Sequence, residues 1–349
     1  MMIKKNIFYL LLFCVFKLYA QTTFPTNGAP YNPHTLFAFI NANLFIDYET
    51  HITNASLLIK DGKVIDAGKD ISIPTQAIIF DLNGKFIYPS FIDLYSNYGL
   101  GETHSTNQDS KFIANNKGAY GWNQAIKSDI DASKLFQHNK EKAFELINNG
   151  IGIVLTSNKD GIVRGSGVLA MLNYIQKENE SIVLDKAAAF YSFNKGSSTQ
   201  NYPSSLTGAI ALLRQTYYDA QWYKNSANKT EYNISLESFN KLQNLPSIFE
   251  ANDKFNAVRA NKIAVEFNQK YIIKGGGNEY QRLEDISQLN TTFILPVNFP
   301  EAYDVSDALD ADNISLADLK HWELAPSNPA FLEKNNINFC FTSYDLKDK

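Results

Sequence analysis

Histidine and cysteine are both scarce in this chain: five histidines and two cysteines among 349 residues. Cys14 lies in the apolar run IFYLLLFCVF, and Cys340 in NINFCF near the other end. A leader removed after Ala20 leaves Cys340 alone. That excludes an internal disulfide and leaves stability to core packing. Cys340, with no histidine close by in sequence, reads as a small buried hydrophobe rather than a nucleophile. Basic charge is not in excess either. With 32 Lys and Arg against 36 Asp and Glu, the net charge of −4 gives no reason to expect nucleic acid or an acidic surface as partner. Phosphate-binding signatures are missing too. KGGGNEY lacks the GxGxxG spacing and GIVRGSG lacks the Lys-Ser/Thr ending of a P-loop. Close backbone approach explains the glycines of GIVRGSG. No internal repeat is visible.

Long hydrophobic runs are confined to the start. MMIKKN, the run of ten apolar residues and KLYA follow the order of a secretory signal over residues 1–20. The run is too short to span a bilayer comfortably. An uncleaved anchor is the competing reading, and bulky Phe13 before Cys14 argues against a lipoprotein site. Loss of Lys4, Lys5 and Lys17 takes the charge from −4 to −7. The expected location is periplasmic or secreted, with no stable membrane anchor. Residues 21–35, rich in Pro, Asn and Thr, read as an extended arm.

Hydrophobic residues make up 44% and charged residues 19%, enough to bury a sizeable core. Over 36–88, short β-like runs are separated by Asp61-Gly62 and Asn83-Gly84, both hairpin signals. These predict a small antiparallel β unit. From 89 to 349 the rhythm is strand and helix in alternation. FIDLYSN, IGIVLTS, SGVLAML, AAAFYSF, KFNAVRA, YIIKGGG, TTFILPV and NINFCFT read as strands. SKLFQHNKEKAFELINNG, LTGAIALLRQTYYDAQWY, NKIAVEFNQK and EYQRLEDISQ read as helices. About eight alternations argue for an α/β fold with a (β/α)8 barrel; a doubly wound open sheet is the alternative. NASL and NISL match a glycosylation pattern that is common by chance in so Asn-rich a chain. Tyr217, Tyr218, Trp222 and Tyr223 read as helix packing, with a carbohydrate platform as the functional alternative.

LLIKDGKVIDAG followed by FDLNGKFIYPSFIDLYSN carries a resemblance. The order resembles the amidohydrolase superfamily, especially its imidazolonepropionase-like and dihydroorotase-like members. Gly84, Pro89, Phe91, Ile92 and Asp93 match the family's block before its His-x-His pair, and Ser90 replaces a glycine. The resemblance covers roughly residues 36–345. It implies a small β-sandwich joined to a TIM-type barrel, and an activity of metal-dependent hydrolysis of non-peptide C–N bonds. Zinc or another divalent cation would activate water at the barrel mouth.

The ligand positions depart from that pattern. Tyr95 and Asn97 stand at the His-x-His pair, Arg259 and Gly275 at the next two histidines, and Tyr344 at the last aspartate, with Asp345 one place later. The resemblance therefore implies no catalytic residues, no metal ligands and no cofactor in this segment. Asp93, Tyr95, Asn97, His104, Arg259 and Asp345 are left as a possible pocket. Arg259 reads as an anion anchor or as the partner of a buried acid. Only YDLKDK follows the expected eighth strand, so the last helix and the returning sandwich strands are expected beyond Lys349, with cover by another polypeptide as the alternative. An uncovered apolar face is then expected on 336–343 and on the 36–88 unit. The expected role is a structural or substrate-binding lobe, the N-terminal part of a larger hydrolase. A downstream amidohydrolase domain would be its partner, with a small-molecule ligand possible. An active hydrolase with a divergent metal site, or an anion-binding module using Arg259, are the alternatives.

Overall fold

A computed structural model describes residues 35–101, 123–173, 181–226 and 232–346. The expected signal peptide, residues 21–34 of the arm, and His104 lie outside the described residues. The backbone divides into two units, Met1–Pro89 and Ser90–Lys349.

The first unit is one five-stranded sheet of β1 (Leu36–Phe45), β2 (His51–Lys60), β3 (Lys63–Gly68), β4 (Ile78–Asp81) and β5 (Phe86–Ile87). Asp61 and Gly62, at φ 53° and 71°, make the tight turn between antiparallel β2 and β3. The expected hairpin at Asn83-Gly84 does not form. Both residues have positive φ, but β4 and β5 each pair in parallel with β1 instead of with each other. The cause lies in β1, which bulges at Asn41 between Phe39 and Ala42. Gly84 donates its N–H to the Asn41 carbonyl at 2.7 Å, so the turn steps over the bulge. The unit is thus a mixed sheet rather than an antiparallel one. Leu36, Ala38 and Leu58 form its buried core with Ile71, Ile73 and Ala77. Val64, Ile65, Ile78, Ile79 and Phe80 stay exposed.

The second unit holds an eight-stranded sheet in sequence order. Its strands are β6 (Phe91–Ser96), β7 (Ile151–Thr156), β8 (Val163–Met171), β9 (Ile182–Ser192), β10 (Ser247–Glu250), β11 (Tyr271–Lys274), β12 (Phe293–Pro296) and β13 (Phe339–Thr342). The pairs β6–β7 and β9 through β13 are parallel, while β8 runs antiparallel to both neighbours. Eight strand-helix units were expected, so β8 is a correction. Only residues 157–162 join β7 to β8. A parallel return needs a crossover of roughly a dozen residues or more, and a short connection reverses the chain.

The helices that matter for the site are α1 (Ala132–Leu135), α2 (Lys140–Asn148), α3 (Leu206–Asn225), α4 (Ile234–Leu242) and α5 (Lys254–Glu266). The single helix expected over SKLFQHNKEKAFELINNG is broken, because Asn139 caps a fresh start by accepting the N–H of Lys142. KFNAVRA is not a strand. Asp253 accepts from the N–H groups of Phe255 and Asn256 and starts α5 there, with Ala257, Ala260, Ile263 and Ala264 buried at helical spacing. The strand in that part of the sheet is SIFE, which the sequence reading passed over.

Alternation along the strands sorts the core into two layers. Tyr191, Phe249, Tyr271, Ile273, Phe293 and Leu295 face outward and pack with buried residues of α3, α4 and α5. The other face of all eight strands meets in one cluster: Tyr95, Leu155, Leu169, Phe190, Ile248, Ile272, Ile294 and Cys340. A flat sheet cannot do this. Eight strands at about 4.8 Å spacing would hold β6 and β13 roughly 33 Å apart. Yet the Thr342 hydroxyl on β13 lies within hydrogen-bond reach of two acceptors on β6, Asp93 Oδ1 at 2.7 Å and the Tyr95 carbonyl at 2.9 Å, between which its one proton is shared. The sheet curls until its edges meet. Among the described residues the edges are joined by these side chains and not by a backbone ladder. On the outer side of β13, Phe341 is 47% exposed.

Candidate functional site

The parallel strands end on one rim, and the two-residue period decides what projects inward there. Inward-facing Ile248 is followed by Glu250, and Ile272 by Lys274. The register sets Glu250 beside Lys274 on one side and beside Ser192 on the other. Reversed β8 enters the sheet at the same end and contributes Arg164. Its guanidinium is 2% exposed and donates to Glu250 Oε2 at 2.6 Å, to the Tyr95 hydroxyl at 2.9 Å and to the Gly161 carbonyl at 3.0 Å. The glycines around Arg164 let the backbone close in. Gly165 has φ 81°, and a Cβ there would lie 2.0 Å from the Ile130 carbonyl oxygen.

Lys159 comes from the connection after β7. Its Nζ lies 3.2 Å from the centroid of the Tyr95 ring and donates to Ser157 Oγ at 3.1 Å. The residue is half-buried, and its ammonium also lies 5.2 Å from the ring centroids of Phe190 and Tyr344. Asp160 anchors this loop, accepting from the N–H and hydroxyl of Ser197 at 2.6 Å each and from Lys127. Lys274 is 7% exposed, with Nζ 5.7 Å from the same Tyr95 centroid.

Three cations thus converge, and among the described residues Glu250 and Asp93 are the carboxylates whose charge acts on Lys159. Burial, and then the Arg164 guanidinium, push Lys159 well below the ordinary lysine range, with Glu250 and Asp93 opposing in part. Burial disfavours the Glu250 carboxylate, yet Arg164 and Lys274 outweigh it and hold its carboxyl below the ordinary range. Burial pushes Tyr344 up to about 12.

Not all expected residues come together. Tyr95 is the floor of the mouth, fully buried, with Tyr344 edge-on at 5.1 Å. Asp93 is a clamp between the sheet edges. Its carboxylate accepts from Tyr95 N, Thr342 Oγ1, Ser343 N and Ser343 Oγ, so its lone pairs are occupied. Asn97 is exposed just past β6. Gly275 follows Lys274 and leaves room for the buried Glu279 carboxylate, which a Cβ would meet at 2.2 Å. Asp345, at φ 63°, lines a neighbouring cleft of about 640 Å³ with Gly276, Pro296, Phe299 and His321. Arg259 is a correction. It sits mid-helix on α5, exposed, bonded to Asn256 Oδ1 at 3.0 Å, and neither anchors an anion in the mouth nor pairs with a buried acid. His321 lies in the helix Leu316–Leu324.

Lys159, Arg164, Glu250 and Lys274 were missed. Glu250 and Lys274 were findable, since each ends a short β-rich run two residues beyond an inward hydrophobe. The donor set does not suit a divalent cation. Among the described residues no three His, Cys, Asp or Glu side chains are grouped to hold one. Ammonium and guanidinium groups offer no lone pair.

No family model matches the sequence, and no curated protein does. Solved structures do. An amidohydrolase from Thermotoga maritima superposes with a TM-score of 0.65 at 20% identity, covering 89% of this chain and 80% of that one. A guanine deaminase from C. acetobutylicum, with guanine bound, gives 0.39 at 14% identity over 88% and 74%. A prolidase complexed with N-methylphosphonate-L-proline gives 0.42 at 11% identity over 88% and 78%. The first of these carries the comparison, and it speaks for the fold. The chain has the amidohydrolase fold.

Proposed function

We propose that this chain is an exported amidohydrolase-fold lobe whose barrel mouth is occupied by its own cationic side chains instead of by a catalytic metal. In this reading the curled sheet is a closed barrel, and the lobe positions substrate or structure for a metal-competent amidohydrolase domain in the same or another chain. The observation that carries it is the buried Arg164–Glu250 ion pair, flanked by Lys159 and Lys274 at the strand ends. A divalent ion placed among them meets like charge on three sides. Two unit charges 4 Å apart repel by about 4 kcal/mol at an effective dielectric of 20, and a divalent ion doubles that for each cation. Glu250, at the end of β10, is already engaged by Arg164. The occupied Asp93 supports the same reading against an active hydrolase with a divergent metal site.

Elemental analysis of purified protein, paired with a panel of cyclic amides and N-acyl amino acids assayed with and without added zinc, tests this. The expected outcome is substoichiometric metal and no zinc-dependent turnover. One or more tightly bound equivalents together with turnover would overturn it.

A further inference from the structure

We infer that the mouth beside Tyr95 binds a small oxyanion, a carboxylate or phosphate group bridging the Lys159 and Lys274 ammoniums. The inference rests on the reading that cations, and not a metal, occupy this mouth.

A charge inventory carries it. Arg164 is matched by Glu250 at 2.6 Å, and Asp93 is spoken for by Tyr95 N and by the β13 edge. That leaves two ammoniums without a salt-bridge partner, and a net positive charge even when Asp93, whose donors are all neutral, is counted against them. Among the described residues no carboxylate stands within salt-bridge distance of either one. Enclosed cations without a partner are costly. Here the Arg164 guanidinium lies close by as well, bonded to the hydroxyl of the same buried tyrosine.

Both ammoniums approach the Tyr95 centroid, at 3.2 and 5.7 Å, so they are no farther apart than those two distances together. That upper limit is near the reach of one carboxylate or phosphate accepting a charge-assisted hydrogen bond of about 2.8 Å at each of two oxygens. Lys274 is nearly buried while Lys159 keeps some exposure, so access is from the Lys159 side. The enclosure of Lys274 restricts the ligand to one small anionic group presented end-on. Tyr344 and Phe190 give that group an apolar wall. The chemistry selects against cations and gives neutral ligands no advantage.

Isothermal titration calorimetry and thermal unfolding of the full chain, with sodium phosphate and separately sodium succinate against sodium chloride at matched ionic strength, test the inference. At least one of the two anions is expected to bind with millimolar or tighter affinity and to raise Tm. Phosphate alone would identify phosphorylated ligands, succinate alone carboxylates, and either result supports the site. Lys159→Met and Lys274→Met are each expected to weaken binding at least tenfold, Lys274→Arg to keep it within a few-fold, and Arg259→Ala to leave it unchanged. The inference is overturned if neither anion stabilises wild-type protein beyond chloride, or if folded Lys274→Met binds as tightly as wild type. Failure of the underlying reading shows separately, as stoichiometric metal in the protein as purified.

Discussion

Replacing Glu250 by Gln removes the carboxylate that Arg164 grips at 2.6 Å and keeps the shape of the side chain. The guanidinium is 2% exposed, so water cannot take over the lost partner, and Lys159 and Lys274 then share an enclosed space with it. Breaking a buried ion pair from one side costs about 3–5 kcal/mol. In a domain of this size each kcal/mol lowers Tm by about 2–4 °C. Glu250→Gln should therefore unfold roughly 6–20 °C below wild type at neutral pH. The sign of its pH dependence follows from the depressed carboxyl pKa of Glu250. Stability from that depression is present above the unfolded value, near 4.3, and is lost as pH falls through the lower folded value. The gap between variant and wild type should shrink in that acidic window. A double-mutant cycle with Arg164→Met separates the pair from general packing loss. The double variant should recover part of the cost, because no unpaired charge remains. A Glu250→Gln change below about 1 kcal/mol, or strict additivity in the cycle, would refute the idea that this pair holds the mouth together.

Lys159→Met should raise stability at neutral pH, measured by urea denaturation. The unfolded lysine binds a proton that burial and Arg164 disfavour in the fold, against partial opposition from Glu250 and Asp93, so the gain should fade as pH rises towards the unfolded value near 10.4. Asp93→Asn should destabilise by about 2–3 kcal/mol, since one amide cannot accept all the donors that now reach the carboxylate from β6 and β13; hydrogen exchange should show the loss concentrated at those two strands. Gly165→Ala should be among the costliest small changes, about 2–4 kcal/mol, because positive φ and the Ile130 carbonyl both oppose a side chain. An unfolding midpoint within 2 °C of wild type, by the same scale of about 2–4 °C per kcal/mol, would contradict that.

Much of the fold is legible along the chain. Apolar runs bounded by turn residues mark seven of the eight strands of the curled sheet, and the Asp61-Gly62 turn needs only its own two residues. Tyr95 and Asp93 could be placed at the mouth because their strand follows a recognisable block. Local signals failed where two patterns competed. KFNAVRA is apolar enough for a strand, and only the Asp253 cap and the burial of Ala257 and Ala260 make it a helix. That error moved Arg259 into the site and left Glu250 out.

Residue order by itself determined the alternation that sends Glu250 and Lys274 to the same face as Ile248 and Ile272, and the short 157–162 connection that reverses β8. It did not determine which charges meet. Arg164 and Glu250 are far apart in sequence, as are Asp93 and Thr342, and no local propensity relates them. Only the curling of the sheet brings β6 against β13 and turns the strand ends towards one space. Once they share it, burial and proximity decide which carboxylate answers which cation, because Coulomb energies depend on distance and enclosure and not on position in the chain.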